Sequence, residues 1–147
     1  MATFSRHVEV DWSGTLMEGK GTAAAGTGAF TLPVTFPQRI GEAGGSTSPE
    51  ELIAGALGVC YTMVLVGALG RKGAQATSVN VTCEVTADKT DAGIKVVSAT
   101  LTPRAGGLSG MSGDEFMATA KEAETKCPVA NALRGNVQIE VSAGKRG

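Results

Sequence analysis

At 147 residues the chain is long enough to bury a substantial core in one domain, which we place at 1–147. Thirteen basic and 14 acidic residues give a net charge of −1 with no basic patch, and the aromatic residues are one Trp, one Tyr and four Phe, so a nucleic-acid partner is not expected. The single histidine, His7, excludes a multi-histidine metal site and is the one base a Ser-His-Asp triad could use.

Residues 3–12 alternate, with Phe4, Arg6, Val8, Val10 and Trp12 on one face and Ser5, His7, Glu9 and Asp11 on the other. That is the period of a half-buried strand, with His7 solvated on the polar face. This N-terminus lacks the apolar core of a signal peptide, so a cytoplasmic location is expected. Residues 15–24 and 28–36 read as two further strands of an antiparallel meander, and Pro33 points to an edge position. A loop over 37–47 carries Arg39.

The stretch 48–69 is a helix. Ser48 is a suitable N-cap, Pro49 fits the first helical position and Glu51 completes a capping box. Leu52 to Leu69 holds no charge, so this helix is expected to be buried on every side or to sit in lipid. Eighteen residues lie at the short end of the spanning range, and no second span, aromatic belt or one-sided basic flank supports a membrane reading. Gly70 to Gly73 stops the helix.

Residues 77–87 alternate as a strand, with Val79, Val81, Cys83 and Val85 on one face. A turn over 88–93 leads to a second strand through Leu101 with a phase slip at Val97, then a loop over 103–111. Ser112 to Glu115 is another capping box, opening a helix with Phe116, Met117, Ala120 and Ala123 on one stripe. Pro128 starts a short helical turn through Leu133, Gly135 ends it, and Val137, Ile139 and Val141 alternate as a last strand. The order βββ-α-ββ-α-β is that of an α+β fold.

Three widely spaced cysteines do not form a secreted disulfide framework; one or two working thiols fit better. Cys60 lies deep in the apolar helix, where burial alone would keep it an inert thiol. Cys83 reads as a small buried hydrophobe. Cys127 precedes a helix start, where its sulfur could be activated by the positive end or could simply cap and pack. Glu50 alone favours the helix dipole, and Arg39 alone is a solvated loop arginine.

Two segments change these assessments. Thr47 to Cys60, with Ser-Pro-Glu-Glu-Leu opening a helix and a cysteine ten residues after Glu50, and Lys126 to Leu133, with Cys-Pro-Val, together resemble the OsmC/Ohr family of thiol-dependent hydroperoxide reductases. The resemblance runs from the Trp12-Ser-Gly turn to the last strand. It implies that Cys60 is the peroxidatic cysteine and Cys127 the resolving one. It also implies that Glu50 pairs with a catalytic Arg39, placed as in the OsmC branch. Ser48 in place of the commoner Asn, the extra glycines of 37–47 and Gly58-Val59 are modest departures. The implied activity is reduction of organic, and less efficiently inorganic, hydroperoxides through a Cys60 sulfenic acid and a Cys60–Cys127 disulfide. A thiol reductant, an external dithiol, would reopen that disulfide, with no resident cofactor or metal. A redox-sensing or small-molecule-binding dimer of the same fold is the alternative. A structural or membrane-associated protein with inert cysteines is the third.

Ten residues of straight helix rise about 15 Å, so Glu50 and Cys60 of one chain cannot meet directly. Two copies of the helix crossing antiparallel near Gly55 would bring Glu50 of one toward Cys60 of the other, and Ala54, Gly55, Ala56 and Gly58 would permit close approach. An intertwined homodimer is therefore expected, in agreement with the family's known obligate dimer.

Overall fold

The computed structural model describes residues 2–143, and its contacts group into two units that divide between Leu52 and Ile53. The first unit opens with an antiparallel meander of β1 (Val8–Ser13), β2 (Lys20–Ala25) and β3 (Thr31–Val34) in the order β1-β2-β3. Trp12 pairs with Gly21, and a Cβ at position 21 would lie 2.6 Å from the indole ring, so only glycine lets that ring lie across β2. Pro33 sits on an edge strand, as its missing donor requires.

Two expectations change in this unit. The first strand begins at Val8 rather than at residue 3, and all six of its residues are exposed, so its apolar alternation is not half-buried within one chain. The 37–47 segment is not all loop. Phe36–Ile40 forms a short helix, α1, capped by Thr35, whose Oγ1 accepts from the Gln38 amide at 3.4 Å, with Pro37 in its first turn. The chain then returns to the sheet, where the buried Thr47 donates its N–H to the Pro33 carbonyl at 2.8 Å.

Helix α2 (Pro49–Arg71) starts where the entry signals place it. Ser48 Oγ accepts from the Glu51 amide at 3.0 Å. The reciprocal half of the box is absent, because the Glu51 carboxylate accepts from Thr47 Oγ1 at 2.8 Å instead. By length and composition α2 could cross a membrane. Within one chain, α2 is buried along one stripe only. Leu57, Tyr61, Leu65 and Leu69 form a buried stripe, whereas Leu52, Val59, Met63 and Val66 form an exposed one.

In the second unit the buried stripe of α2 shares a core with the sheet of β4 (Ser78–Thr90), β5 (Gly93–Gly106) and β6 (Gln138–Val141), and with α3 (Gly113–Lys126) and α4 (Pro128–Leu133). The sheet order is β4-β5-β6, with β6 parallel to β5. Thr86 faces Ser98 while Ala87 faces Val96, so Val97 is the extra residue of a bulge, the expected phase slip. β5 runs to Gly106, which shortens the loop expected from 103. Pro103 is tolerated because the β6 pairing ends at Leu101 and Val141, leaving its outer flank unpaired among the described residues. Ser112 Oγ caps α3 through the Glu115 amide at 3.1 Å. The buried Tyr61 hydroxyl donates to the Ala120 carbonyl at 2.7 Å and fastens α2 to α3. The α+β class holds, with short helices α1 and α4 beside the two long ones.

Candidate active site

Each unit carries one part of the expected constellation. In the first, α1 presents Arg39 and the first turn of α2 presents Glu50. Arg39 Nε–H donates to both carboxylate oxygens of Glu50, at 2.8 and 3.2 Å. The two side chains are 27% and 15% exposed, so the pair is shielded but reachable. Because the contact uses the Nε edge, the terminal guanidinium nitrogens stay available to a bound oxygen or anion. Proline and the Thr35 cap fix where α1 starts, and the Thr47 anchor on β3 fixes where α2 starts, so the pairing rests on backbone geometry at both ends.

In the second unit the thiols converge. Cys60 is half-buried on α2, and Cys127 is fully buried at the joint between α3 and α4. The two are 67 positions apart in sequence yet their side chains adjoin each other, and both are free thiols. Burial pushes the Cys127 thiol up. The Ala130 and Val129 amides at the start of α4 oppose that rise, and Cys60 adds to it. The helix-end activation considered for Cys127 is thus present but outweighed by burial.

Cys83 faces this core from β4, where burial first, and then Cys127, push its thiol up to about 11. A Cβ at Gly58 would lie 3.3 Å from the Cys83 Cβ, so α2 and β4 are closely apposed there. Its expected role as a packed small hydrophobe agrees with this position. Burial also raises Tyr61, helped by Glu124 and Cys127.

One group beside Cys127 was not singled out in the sequence. Arg134, just past α4, donates to the Glu124 carboxylate at 2.7 Å, to the Glu124 carbonyl at 3.2 Å and to Asn131 Oδ1 at 3.0 Å. Ten residues separate Arg134 from Glu124 across a helix break, so no helical spacing signals the contact. A buried-stripe position for an acid, Glu124 directly after Ala123, was the available hint.

The chain resembles known proteins along nearly all of its length. Residues 41–142 match the family described as OsmC-like protein, a span that begins two residues after Arg39. The chain is 31% identical over 140 residues to peroxiredoxin OsmC of Escherichia coli (strain K12), covering 94% of this chain and 96% of that one. Among solved structures, an organic hydroperoxide resistance protein OsmC from Legionella pneumophila is similar with a TM-score of 0.72 at 25% identity, over 97% of this chain and 100% of that one. An organic hydroperoxide resistance protein from Elizabethkingia anophelis shares the fold, with a TM-score of 0.73 at 22% identity over 98% and 100% of the two chains. On the family match and the identity to the Escherichia coli protein, the chain belongs to the OsmC-like protein family.

Proposed function

We propose that the protein is a cysteine peroxidase that reduces organic hydroperoxides, with Cys60 as nucleophile and Cys127 as resolving thiol. The observation that carries this reading is the adjoining pair of free thiols, Cys60 and Cys127, in a core where no disulfide framework calls for them. The Escherichia coli relative named a peroxiredoxin and the relatives named for organic hydroperoxide resistance support the reaction class.

A Cys60 thiolate attacks one oxygen of the hydroperoxide, the O–O bond breaks, and the other oxygen leaves as an alcohol after taking a proton. Cys60 is then a sulfenic acid. Cys127 sulfur bonds to it, the S–O bond breaks, and water leaves. An external dithiol reduces the disulfide and restores both thiols. Arg39, oriented by Glu50, is the cation we assign to the peroxide oxygens and the thiolate, since a half-buried thiolate needs a fixed positive charge. No resident cofactor enters this scheme. The apolar side chains along α2 favour a hydroperoxide with an apolar tail.

We also propose that two chains pair through the exposed stripe of Leu52, Val59, Met63 and Val66, because a contiguous apolar helix face is costly to leave in water. That arrangement would bring Glu50 of one copy toward Cys60 of the other, and the enzyme would work as a cytoplasmic homodimer. A fully active monomer in light scattering would overturn it.

The test of function is consumption of cumene hydroperoxide with a dithiol as reductant. Cys60→Ser is expected to abolish turnover, and Cys127→Ser to permit one oxidation followed by over-oxidation of Cys60. Thiol oxidation without turnover in the unsubstituted protein would mark a sensor instead.

A further inference from the structure

The resolving step requires Cys127 to reach Cys60 before a second peroxide does, so whatever holds the turn at Cys127 governs its outcome. That turn joins α3 to α4 through one residue, and its own backbone support is slight: the Cys127 amide donates to the Glu124 carbonyl at a long 3.3 Å, and the Asn131 amide donates to the Cys127 carbonyl at 2.9 Å. Arg134 adds a side-chain brace. One guanidinium nitrogen holds the Glu124 carboxylate in the last turn of α3. The other holds both the Glu124 carbonyl, the acceptor already used by the Cys127 amide, and the Asn131 side chain on α4. The Arg134 backbone amide meanwhile donates to the Ala130 carbonyl at 2.9 Å, closing α4. One planar fork therefore ties the element before Cys127 to the element after it.

The asymmetry of the pair is informative. The Glu124 side chain is 11% exposed and Arg134 is 45% exposed. Arg134 contributes little packing, yet it reaches inward to a carboxylate that would otherwise be buried without a partner. The other ion pairs of α3 lie elsewhere: Glu122 meets Lys126 along the helix and Lys72 beyond the end of α2, and neither contact crosses the α3–α4 joint.

We propose that Arg134 is a positioning residue for disulfide closure, holding the α3–α4 joint so that Cys127 meets the Cys60 sulfenic acid. This rests on the assignment of Cys127 as resolving thiol. The guanidinium acts through the joint and touches neither sulfur nor peroxide. Its influence falls on the intramolecular step, in which the S–S bond forms, the Cys60 S–O bond breaks and water leaves, and where a small loss of preorganisation lowers the effective concentration of Cys127.

Rapid quench with thiol alkylation and mass spectrometry separates the two steps after mixing with cumene hydroperoxide. In Arg134→Met, the second-order oxidation of Cys60 is expected to be unchanged, closure of the Cys60–Cys127 disulfide to slow about tenfold, and sulfinic Cys60 to accumulate at high peroxide. Arg134→Met combined with Glu124→Gln removes the fork without stranding a buried carboxylate, and should be equally slow in closure. Glu124→Gln alone keeps an acceptor for the fork and should close near the unsubstituted rate. Unchanged closure in Arg134→Met would overturn the proposal, as would proportional slowing of both steps with a lowered thermal midpoint. Failure of the unsubstituted protein to form the Cys60–Cys127 disulfide would instead overturn the assignment of Cys127, and the proposal with it.

Discussion

Residues 2–52 and residues 53–143 place their functional groups on unlike foundations. In the first stretch only Gly21, Ala23 and Thr47 are buried among the described residues, and β1 has no buried side chain. Arg39 and Glu50 are held there by caps, a backbone bridge to β3 and their own two-point contact. In the second stretch Leu57, Tyr61, Leu65, Leu101, Ala120 and Cys127 are all fully or almost fully buried, and the thiols are held by packing. The charged pair thus occupies a framework that one chain leaves largely open to solvent, and the thiols adjoin a core that one chain buries. A charge must stay solvated or paired, whereas a thiol awaiting peroxide must be shielded from competing reactions.

This contrast separates chemistry from stability, and substitutions can test it. Arg39→Met is expected to lower Cys60 oxidation by about 10²-fold or more, since it removes the fixed positive charge. Combined with Glu50→Gln, which avoids stranding a carboxylate only 15% exposed, it should barely move the thermal midpoint, because partly exposed ion pairs contribute about 0–1 kcal/mol. Stopped-flow oxidation and calorimetry on one preparation would reveal the split, and a large stability loss with normal oxidation would reverse the assignment.

Leu57→Ala should behave in the opposite way. It empties a fully buried position and is expected to cost about 2–5 kcal/mol in denaturant unfolding. Val10→Ala, at a position 69% exposed in one chain, should cost within about 0.5 kcal/mol if β1 stays open to water. A larger cost that depends on protein concentration would show that a second copy covers the sheet.

A smaller effect concerns Cys83. Its thiol is raised to about 11, so folding favours the protonated form. The associated stability is fully present below the ordinary thiol range, near pH 8.5, and is lost as the pH climbs through 11. Cys83→Val should therefore flatten the alkaline decline in stability and leave neutral stability within about 1.5 kcal/mol. Cys127 and Tyr61 are raised in the same direction, so the decline should be reduced rather than abolished.

The parts of the fold that were legible in the sequence were those with a repeating physical signal. The 2-residue alternation of β4, the slip at Val97 and the capped starts of α2 and α3 are all where periodicity and caps place them. Helix α1 was hidden because five residues are too few for a helical period, and Arg39 was read as a loop residue for the same reason. The uncharged length of α2 signals burial, but composition does not distinguish a helix surrounded by its own chain from one with an unpartnered face. The functional residues were harder to read. Cys60 alone looked inert, Cys127 alone was ambiguous, and only the pair of motifs joined them. Arg134 gave no signal, since its partner lies across a break between helices.

The decisive measurement is peptide mapping of the unsubstituted protein after equimolar cumene hydroperoxide, without added reductant. The account predicts a single disulfide linking the Cys60 and Cys127 peptides, with Cys83 still free to alkylate. A disulfide through Cys83, or sulfinic Cys60 beside an alkylatable Cys127, would contradict it.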